Sequence, residues 1–361
     1  MSDRELRERV ASRPDLADLA PYGAPQMDVA VRLNTNESPY PPPKDFMEDL
    51  ARRIGGLGNL NRYPDREFRE LRERLAERVG TLTERVWVAN GSNEVILQLV
   101  QAFGGLERKA MTFEPTYALH SHITRVSGTR LIRARRNPDF TMDLDASLDA
   151  VRMNQPDVVF LCSPNNPTGN TISEEDVAAI CEAAPGLVIL DEAYAEFAGG
   201  SLWRLVEDHE NLASVRTFSK AYRMAGARIG YMVAQGSVIE EVLKVRLPYH
   251  LSSLTQAAGL TALAHADELS TTVETMAYER DRLWNELSTT RGITAFPSRA
   301  NFILFRPESV PGPELWRRLL ERGVLIRDFS ETPGCEGCLR VSVGTADQGE
   351  RFLEALSESL R

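Results

Sequence analysis

From Pro64 onward the chain alternates short apolar runs with helical segments, and that alternation restricts the fold more than any other feature. Residues 86–89, 110–113, 158–162, 187–190, 214–218 and 229–233 read as short strands. Between them, 65–79, 94–103 and 173–184 carry helical spacing, with Pro64 and Asp65 as start signals and Gly104 and Gly105 as a stop. Strands apolar on both faces and separated by helices predict an α/β architecture with a mainly parallel sheet between helices. Beyond Pro248 the texture changes. Residues 252–290 read as one long, mostly helical segment linking two parts. Strand candidates at 293–296, 301–305, 324–326 and 339–343, with helices at 314–322 and 348–360, predict a smaller α+β unit. The prolines Pro39, Pro41, Pro42 and Pro43 read as a rigid connector after an N-terminal arm. The expected division is an arm at 1–38, a large unit at 39–247 and a small C-terminal unit at 248–361.

Composition narrows the function classes. With 42 Lys+Arg against 52 Asp+Glu the net charge is -10, which disfavours non-specific nucleic-acid binding. No apolar run approaches the ~18–20 residues of a membrane span. The first twenty residues are charged and lack an apolar signal core, so a cytoplasmic location is expected. The four cysteines (Cys162, Cys181, Cys335, Cys338) are too few for a disulfide scaffold. Cys335 and Cys338 form a CxxC that lacks a second half-site, so no metal is expected, and two thiols in a loop and at a strand start are the simpler reading. Nucleotide-binding glycine motifs, HExxH and GxSxG are all absent.

In an open α/β sheet, ligands sit beyond the carboxyl ends of strands. Each strand here runs into a polar, sharply turning segment. The 86–89 strand leads into Asn90-Gly91-Ser92-Asn93, where a helix start suits a phosphate. The 158–162 strand leads into SPNNPTG (163–169), which presents Asn165 and Asn166. The 187–190 strand delivers Asp191 and Tyr194; a carboxylate at a buried strand end is expensive unless it holds a cation. The 214–218 strand delivers Ser219 and Lys220, followed by Arg228.

Lys220 stands out because only four of the 42 basic residues are lysines. Arginine cannot act as a nucleophilic amine. Desolvation and nearby arginines would lower the Lys220 pKa and make its amine usable. Two phosphate-binding elements, a strand-end carboxylate, an Asn loop, a tyrosine and a strand-end lysine suit a cofactor with a phosphate, a basic ring nitrogen, a phenolic oxygen and an aldehyde. Pyridoxal phosphate has all four.

These motifs resemble the aspartate-aminotransferase-like, fold type I pyridoxal-phosphate enzymes over nearly the whole chain. The pieces that carry the resemblance are SPNNPTG, DEAY and TFSKAYRMAGARIGY, in that order. PYGAP (21–25), RLNTNESPYPPP (32–43), NRYPD (61–65), LPYHLSSLTQAA (247–258), ANFILF (300–305), GVLIRD (323–328) and CLRVSVGT (338–345) are most similar to the branch acting on histidinol phosphate. The resemblance implies a large seven-stranded-type sheet and these roles. Lys220 holds the cofactor aldehyde and then acts as general base. Asp191 pairs with the pyridinium nitrogen, and Tyr194 and Asn166 bond the phenolic oxygen. Ser92, Asn93, Thr217, Ser219 and Arg228 hold the phosphate, and Tyr117 stacks on the ring. Tyr63 reaches the partner subunit's cofactor phosphate, which implies a homodimer with shared sites and an arm packed on the small unit and the partner. Arg340 clamps the substrate α-carboxylate, Arg327 and Tyr22 meet the substrate phosphate or side chain, and Asn36 sits in the entry loop. The implied reaction converts L-histidinol phosphate and 2-oxoglutarate to imidazole acetol phosphate and glutamate, a step of histidine biosynthesis.

Three positions depart from the family pattern: Ser38 in Asn36-Glu37-Ser38-Pro39, Arg223 and Arg299. The nearest rival keeps the fold and takes aromatic amino acids such as phenylalanine. A second is a lyase or decarboxylase on the same cofactor. A third is a non-catalytic protein on this fold, which would be expected to have lost Lys220, Asp191 or Arg228. Arg327 favours the phosphate substrate through its bidentate fork.

Overall fold

The computed structural model describes residues 13–361. Arm residues 1–12 lie outside that range. A seven-stranded sheet forms the larger body, in the spatial order Val86–Ala89, Gly230–Ala234, Leu212–Thr217, Leu187–Asp191, Val158–Cys162, Lys109–Glu114, Arg130–Arg135. The central strands are buried along their whole length, which is why they read as unbroken apolar runs. Six strands run in one direction, and only Gly230–Ala234 is reversed, antiparallel to both its neighbours, so the sheet is mixed but mainly parallel. The register aligns Cys162 with Asp191, Asp191 with Val215 and Thr217 with Gly230. The strand ends therefore bring their polar continuations to one edge of the sheet.

The C-terminal part carries a four-stranded antiparallel sheet in the order Arg327–Asp328, Leu339–Ser342, Phe302–Pro307, Ile293–Ala295. Its core includes Phe305, Leu315, Leu319 and Phe352, separate from the larger core around the seven strands. The arm reaches this second sheet. Val31–Arg32 pairs in parallel with Val324–Leu325, and Ser342 N–H donates to the Leu33 carbonyl at 2.9 Å.

Segment 252–290 is three helices, Ser253–Ala264, Ala266–Ser270 and Thr272–Thr289, where one was expected. At the first break His265 leaves helical geometry, and its ring bonds Asp49 at 2.7 Å and Glu268 at 2.9 Å. At the second, the Thr271 hydroxyl donates back to the Glu268 carbonyl at 2.8 Å. Side-chain bonds of this kind compete with the backbone ladder. The first of the three helices packs on Lys44–Gly55 and Arg69–Val79, and its Ala258 and Ala262 sit in the larger core. Lys44–Gly55 begins directly after the prolines, which thus lead into a helix as well as serving as a connector. Arg130–Arg135 lies at the sheet edge with no fully buried position, and its three arginines in six residues hide it from an apolar search.

Candidate active site

One cavity of about 420 Å³ opens at the strand-end edge between the two sheets. Fourteen of the fifteen expected site residues line it. Tyr63 is the one outside: it is 78% exposed and its ring stacks on Tyr249 with centroids 4.4 Å apart.

On the cavity floor Lys220 follows strand Leu212–Thr217. Its Nζ donates to the Thr35 carbonyl at 2.9 Å and lies 5.9 Å from the Tyr194 ring centre. Burial, with the Arg340 and Arg228 charges adding, lowers its pKa from 10.5 to about 8. Glu37, which sequence reading passed over, also lines the cavity and opposes that shift.

Asp191 is buried and ends its strand. Oδ2 lies 3.0 Å from His120 Nε2, and Oδ1 accepts from Ala193 N–H at 3.2 Å. A carboxylate only accepts, so with Asp191 ionised His120 carries its proton on Nε2. The His120 ring stacks on Phe160 with centroids 4.7 Å apart, and its Nδ1 has no partner. Sequence reading missed His120. It sits one turn from Tyr117 on helix Ala118–Val126, but only the fold brings it to Asp191, 71 residues away.

Tyr194 Oη accepts from Asn36 Nδ2 at 2.9 Å and from Asn166 Nδ2 at 3.4 Å. Burial pushes this phenol well up. Asn36 adopts φ +56 and is locked by Ser342 Oγ, which accepts from its N–H at 2.9 Å and donates to its Oδ1 at 2.8 Å. The arm residue is thus held by the antiparallel sheet. Asn165 does not reach the cavity; it bonds Thr116, Pro115 and Thr168 and braces the loop.

The phosphate-type corner joins Ser92, at the start of helix Ser92–Phe103, to Thr217, Ser219 and Arg228. Arg228 Nη1 donates to Ser219 Oγ at 3.3 Å. Two glycines make the approach possible. A Cβ on Gly230 would lie 2.1 Å from Ser92 N, and one on Gly91, at φ +89, would lie 2.5 Å from Arg228 Nη2.

Across the cavity Arg327 and Arg340 are direct cross-strand partners. Like charges so placed repel unless an anion lies between or beside them. Arg340 is buried, donating to Asn166 Oδ1 at 2.5 Å and to the Asn34 carbonyl at 2.8 Å, while its Nε has no partner. Burial draws its pKa down to about 10, and the Arg327 charge adds to the effect. Arg327 is less buried and donates to the Gly23 carbonyl at 3.0 Å. Tyr22 leans edge-on against Tyr117, with centroids 6.2 Å apart. The two departures at arginine lie away from this chemistry. Arg223 bonds Thr271, Thr272, Glu268 and Pro41, so it braces the helix break against the proline connector. Arg299 is exposed, and its N–H donates to Gly169.

The donor set matches an anionic ring compound: a phosphate corner, a carboxylate for a protonated ring nitrogen, an amine, and a phenol–amide pair for a ring oxygen. The family model for class I and II aminotransferases matches residues 28–356. The chain belongs to this family. A histidinol-phosphate aminotransferase of Nocardia farcinica is 46% identical over 350 residues, covering 94% of this chain and 89% of the relative. One from Frankia casuarinae is 45% identical over 362 residues, covering 96% and 90%. Among solved structures, histidinol-phosphate aminotransferase from Sinorhizobium meliloti in complex with pyridoxal-5'-phosphate superposes with a TM-score of 0.83, at 27% identity, covering 92% of this chain and 91% of that one. The fold expected from the strand and helix pattern is thus that of a fold type I aminotransferase, with a large sheet that is mainly parallel and carries one reversed strand. Among the described residues no group of three or more His, Cys, Asp or Glu is placed to hold a metal, and no helix is long and apolar enough to cross a membrane.

Proposed function

We propose that this aminotransferase moves an amino group from L-histidinol phosphate to 2-oxoglutarate with pyridoxal phosphate as cofactor, the step used in histidine biosynthesis. The observation that carries the reading is the opposed Arg327–Arg340 pair across the cavity from Lys220 and Asp191. Two arginines suit a phosphate on one substrate and carboxylates on the other. The close relatives that bear the histidinol-phosphate name support the same substrate.

When bound, pyridoxal phosphate supplies an aldehyde that takes up an amino group and a ring that withdraws electrons from the adjacent carbon. Ser92, Asn93, Thr217, Ser219 and Arg228 would hold its phosphate, Asp191 its ring nitrogen, Tyr194 and Asn166 its phenolic oxygen, and Tyr117 its ring face. His120 orients the Asp191 carboxylate. The Lys220 amine would hold the aldehyde and, once released, takes the proton from the substrate carbon that bears nitrogen. A pKa near 8 leaves an appreciable neutral fraction at physiological pH. Arg340 orients the substrate carboxylate, Arg327 with Tyr22 the phosphate, and Asn36 closes the entry side.

The assembly in this proposal is a homodimer in which Tyr63 meets the partner's cofactor phosphate. Exposed Leu60, Tyr63, Leu247 and Tyr249 support it, because so much apolar surface calls for a partner. The three-part division at 38 and 247 rests on the two separate cores, although Ala258 and Ala262 of the last part sit in the larger one. A cytoplasmic location follows from the reaction class.

The test is a single-turnover absorbance assay on the cofactor-loaded protein. The yellow band, at roughly 420 nm, should bleach fast with histidinol phosphate and slowly with phenylalanine. Equal or faster bleaching by phenylalanine would move the enzyme to aromatic substrates and leave Arg327 a structural residue. A protein that takes up no cofactor would overturn the reading.

A further inference from the structure

The CxxC plays no part in the reaction above, yet it lies directly behind the substrate clamp. Residues Cys335-Glu336-Gly337-Cys338 make a closed turn: the Cys338 N–H donates to the Cys335 carbonyl at 2.8 Å, and Gly337 supplies φ +73 at the third position. A turn of this kind holds its first and last Cα within ~7 Å, overlapping the ~4.4–6.8 Å that a disulfide spans. Both cysteines are free and fully buried, in one cluster with Phe140 and Leu304 and against Phe296 and Phe329. The adjacent Cys335 thiol, with the Arg306 charge adding, lowers the Cys338 pKa below the usual thiol range. Cys338 is therefore the better nucleophile of the pair. Cys162 and Cys181 differ: burial pushes both thiols up, and neither has a thiol partner.

The turn is coupled to the site by short connections. Phe329 N–H donates to the Cys338 carbonyl at 3.0 Å, and the Phe329 ring centre lies 5.1 Å from the Arg340 guanidinium. Arg340 is two residues beyond Cys338, on the strand Leu339–Ser342 that Cys338 leads into. Phe329 and Thr332 both line the cavity, and Thr332 accepts from Cys335 N–H at 2.8 Å. The covering loop is exposed at Glu331, Pro333, Gly334 and Glu336, so one short opening uncovers the pair.

We infer that Cys335 and Cys338 form a reversible dithiol–disulfide site, oxidised by small-molecule disulfides, whose closure shifts Phe329 and loosens the Arg340 grip on carboxylate substrates. The Cys338 thiolate attacks one sulfur of the small disulfide and expels one thiol. The Cys335 sulfur, losing its proton, then displaces the second thiol from Cys338. The protein gives up two protons and two electrons, and the small disulfide becomes two thiols. Lys220, Asp191 and the phosphate corner sit at the strand ends of the other sheet.

The test incubates the cofactor-loaded enzyme with oxidised glutathione, then removes it. The expected product has a mass lower by two hydrogens, a Cys335–Cys338 linkage by peptide mapping, and two titratable thiols after denaturation in place of four. Its KM for 2-oxoglutarate rises about tenfold, the size of one weakened charge-assisted bond, while the yellow band and kcat stay put and dithiothreitol restores the KM. Cys335→Ser and Cys338→Ser each retain the reduced KM and do not respond. The idea is overturned if four thiols persist, if glutathione stays on Cys338 without ring closure, if the mapped bond forms and KM does not move, or if Cys335→Ser responds like the wild type. Mass and peptide mapping need only wild-type protein, so a variant that fails to fold leaves the test intact. Those two readouts are also independent of the transaminase reading on which the KM arm rests.

Discussion

Replacing Lys220 with methionine should stabilise the cofactor-free protein at neutral pH and lose that advantage in alkali. The folded structure lowers this lysine from 10.5 to about 8, chiefly by burial. Below pH 8 the amine is protonated whether the chain is folded or not, and folding bears the cost of holding the charge on the cavity floor. Between 8 and 10.5 the unfolded chain binds the extra proton, so wild-type stability climbs with pH through that window. Above 10.5 the amine is neutral in both states and the cost is gone. The whole shift corresponds to about 3 kcal/mol, and water in the open cavity reduces it to about 1–2 kcal/mol. Methionine also leaves the Thr35 carbonyl without its donor, a pH-independent loss of about 1 kcal/mol. The variant-minus-wild-type difference should therefore fall by about 1–2 kcal/mol between pH 7.5 and 10.5, measured by urea unfolding of both cofactor-free proteins. A difference that stays flat across that range, or grows with pH, would refute the burial argument for this amine.

The remaining predictions concern the reaction and the cradle. Asp191→Asn should retain cofactor by absorbance yet lose several orders of magnitude in turnover, because the charge facing the ring nitrogen is gone; near-normal turnover would remove that role. Gly230→Ala should weaken cofactor binding by at least about tenfold in an equilibrium titration, since the new methyl would sit 2.1 Å from the Ser92 backbone nitrogen and force the corner apart. Arg340→Lys keeps the charge but not the fork, and KM for 2-oxoglutarate should rise about tenfold or more with kcat less affected; an unchanged KM would show that Arg340 does not meet the carboxylate. Arg327→Leu should slow histidinol phosphate far more than phenylalanine in the bleaching assay, and equal losses would speak against a phosphate contact.

Much of the site is legible along the chain because its residues follow buried strands. The runs 158–162 and 187–190 are apolar from end to end, so the polar residues that follow mark the sheet edge, and Asn166 and Asp191 appear there. Lys220 is visible because lysine is otherwise scarce. Local chemistry of this kind depends on neighbours within a few positions. The break at His265 was hidden for the opposite reason, since Asp49 reaches it from 216 residues away.

The sequence alone determined the alternation of strands and helices, the order of the strand-end loops and the identity of the amine, because hydrophobic period and side-chain type are local properties. Tertiary structure decided which groups face each other. It set His120 against Asp191, locked Asn36 on Ser342, placed Arg327 opposite Arg340 and seated the Cys335–Cys338 turn behind Phe329. These pairings arise from sheet register and the packing of two cores, and both join residues far apart in the chain by contacts that no local pattern encodes.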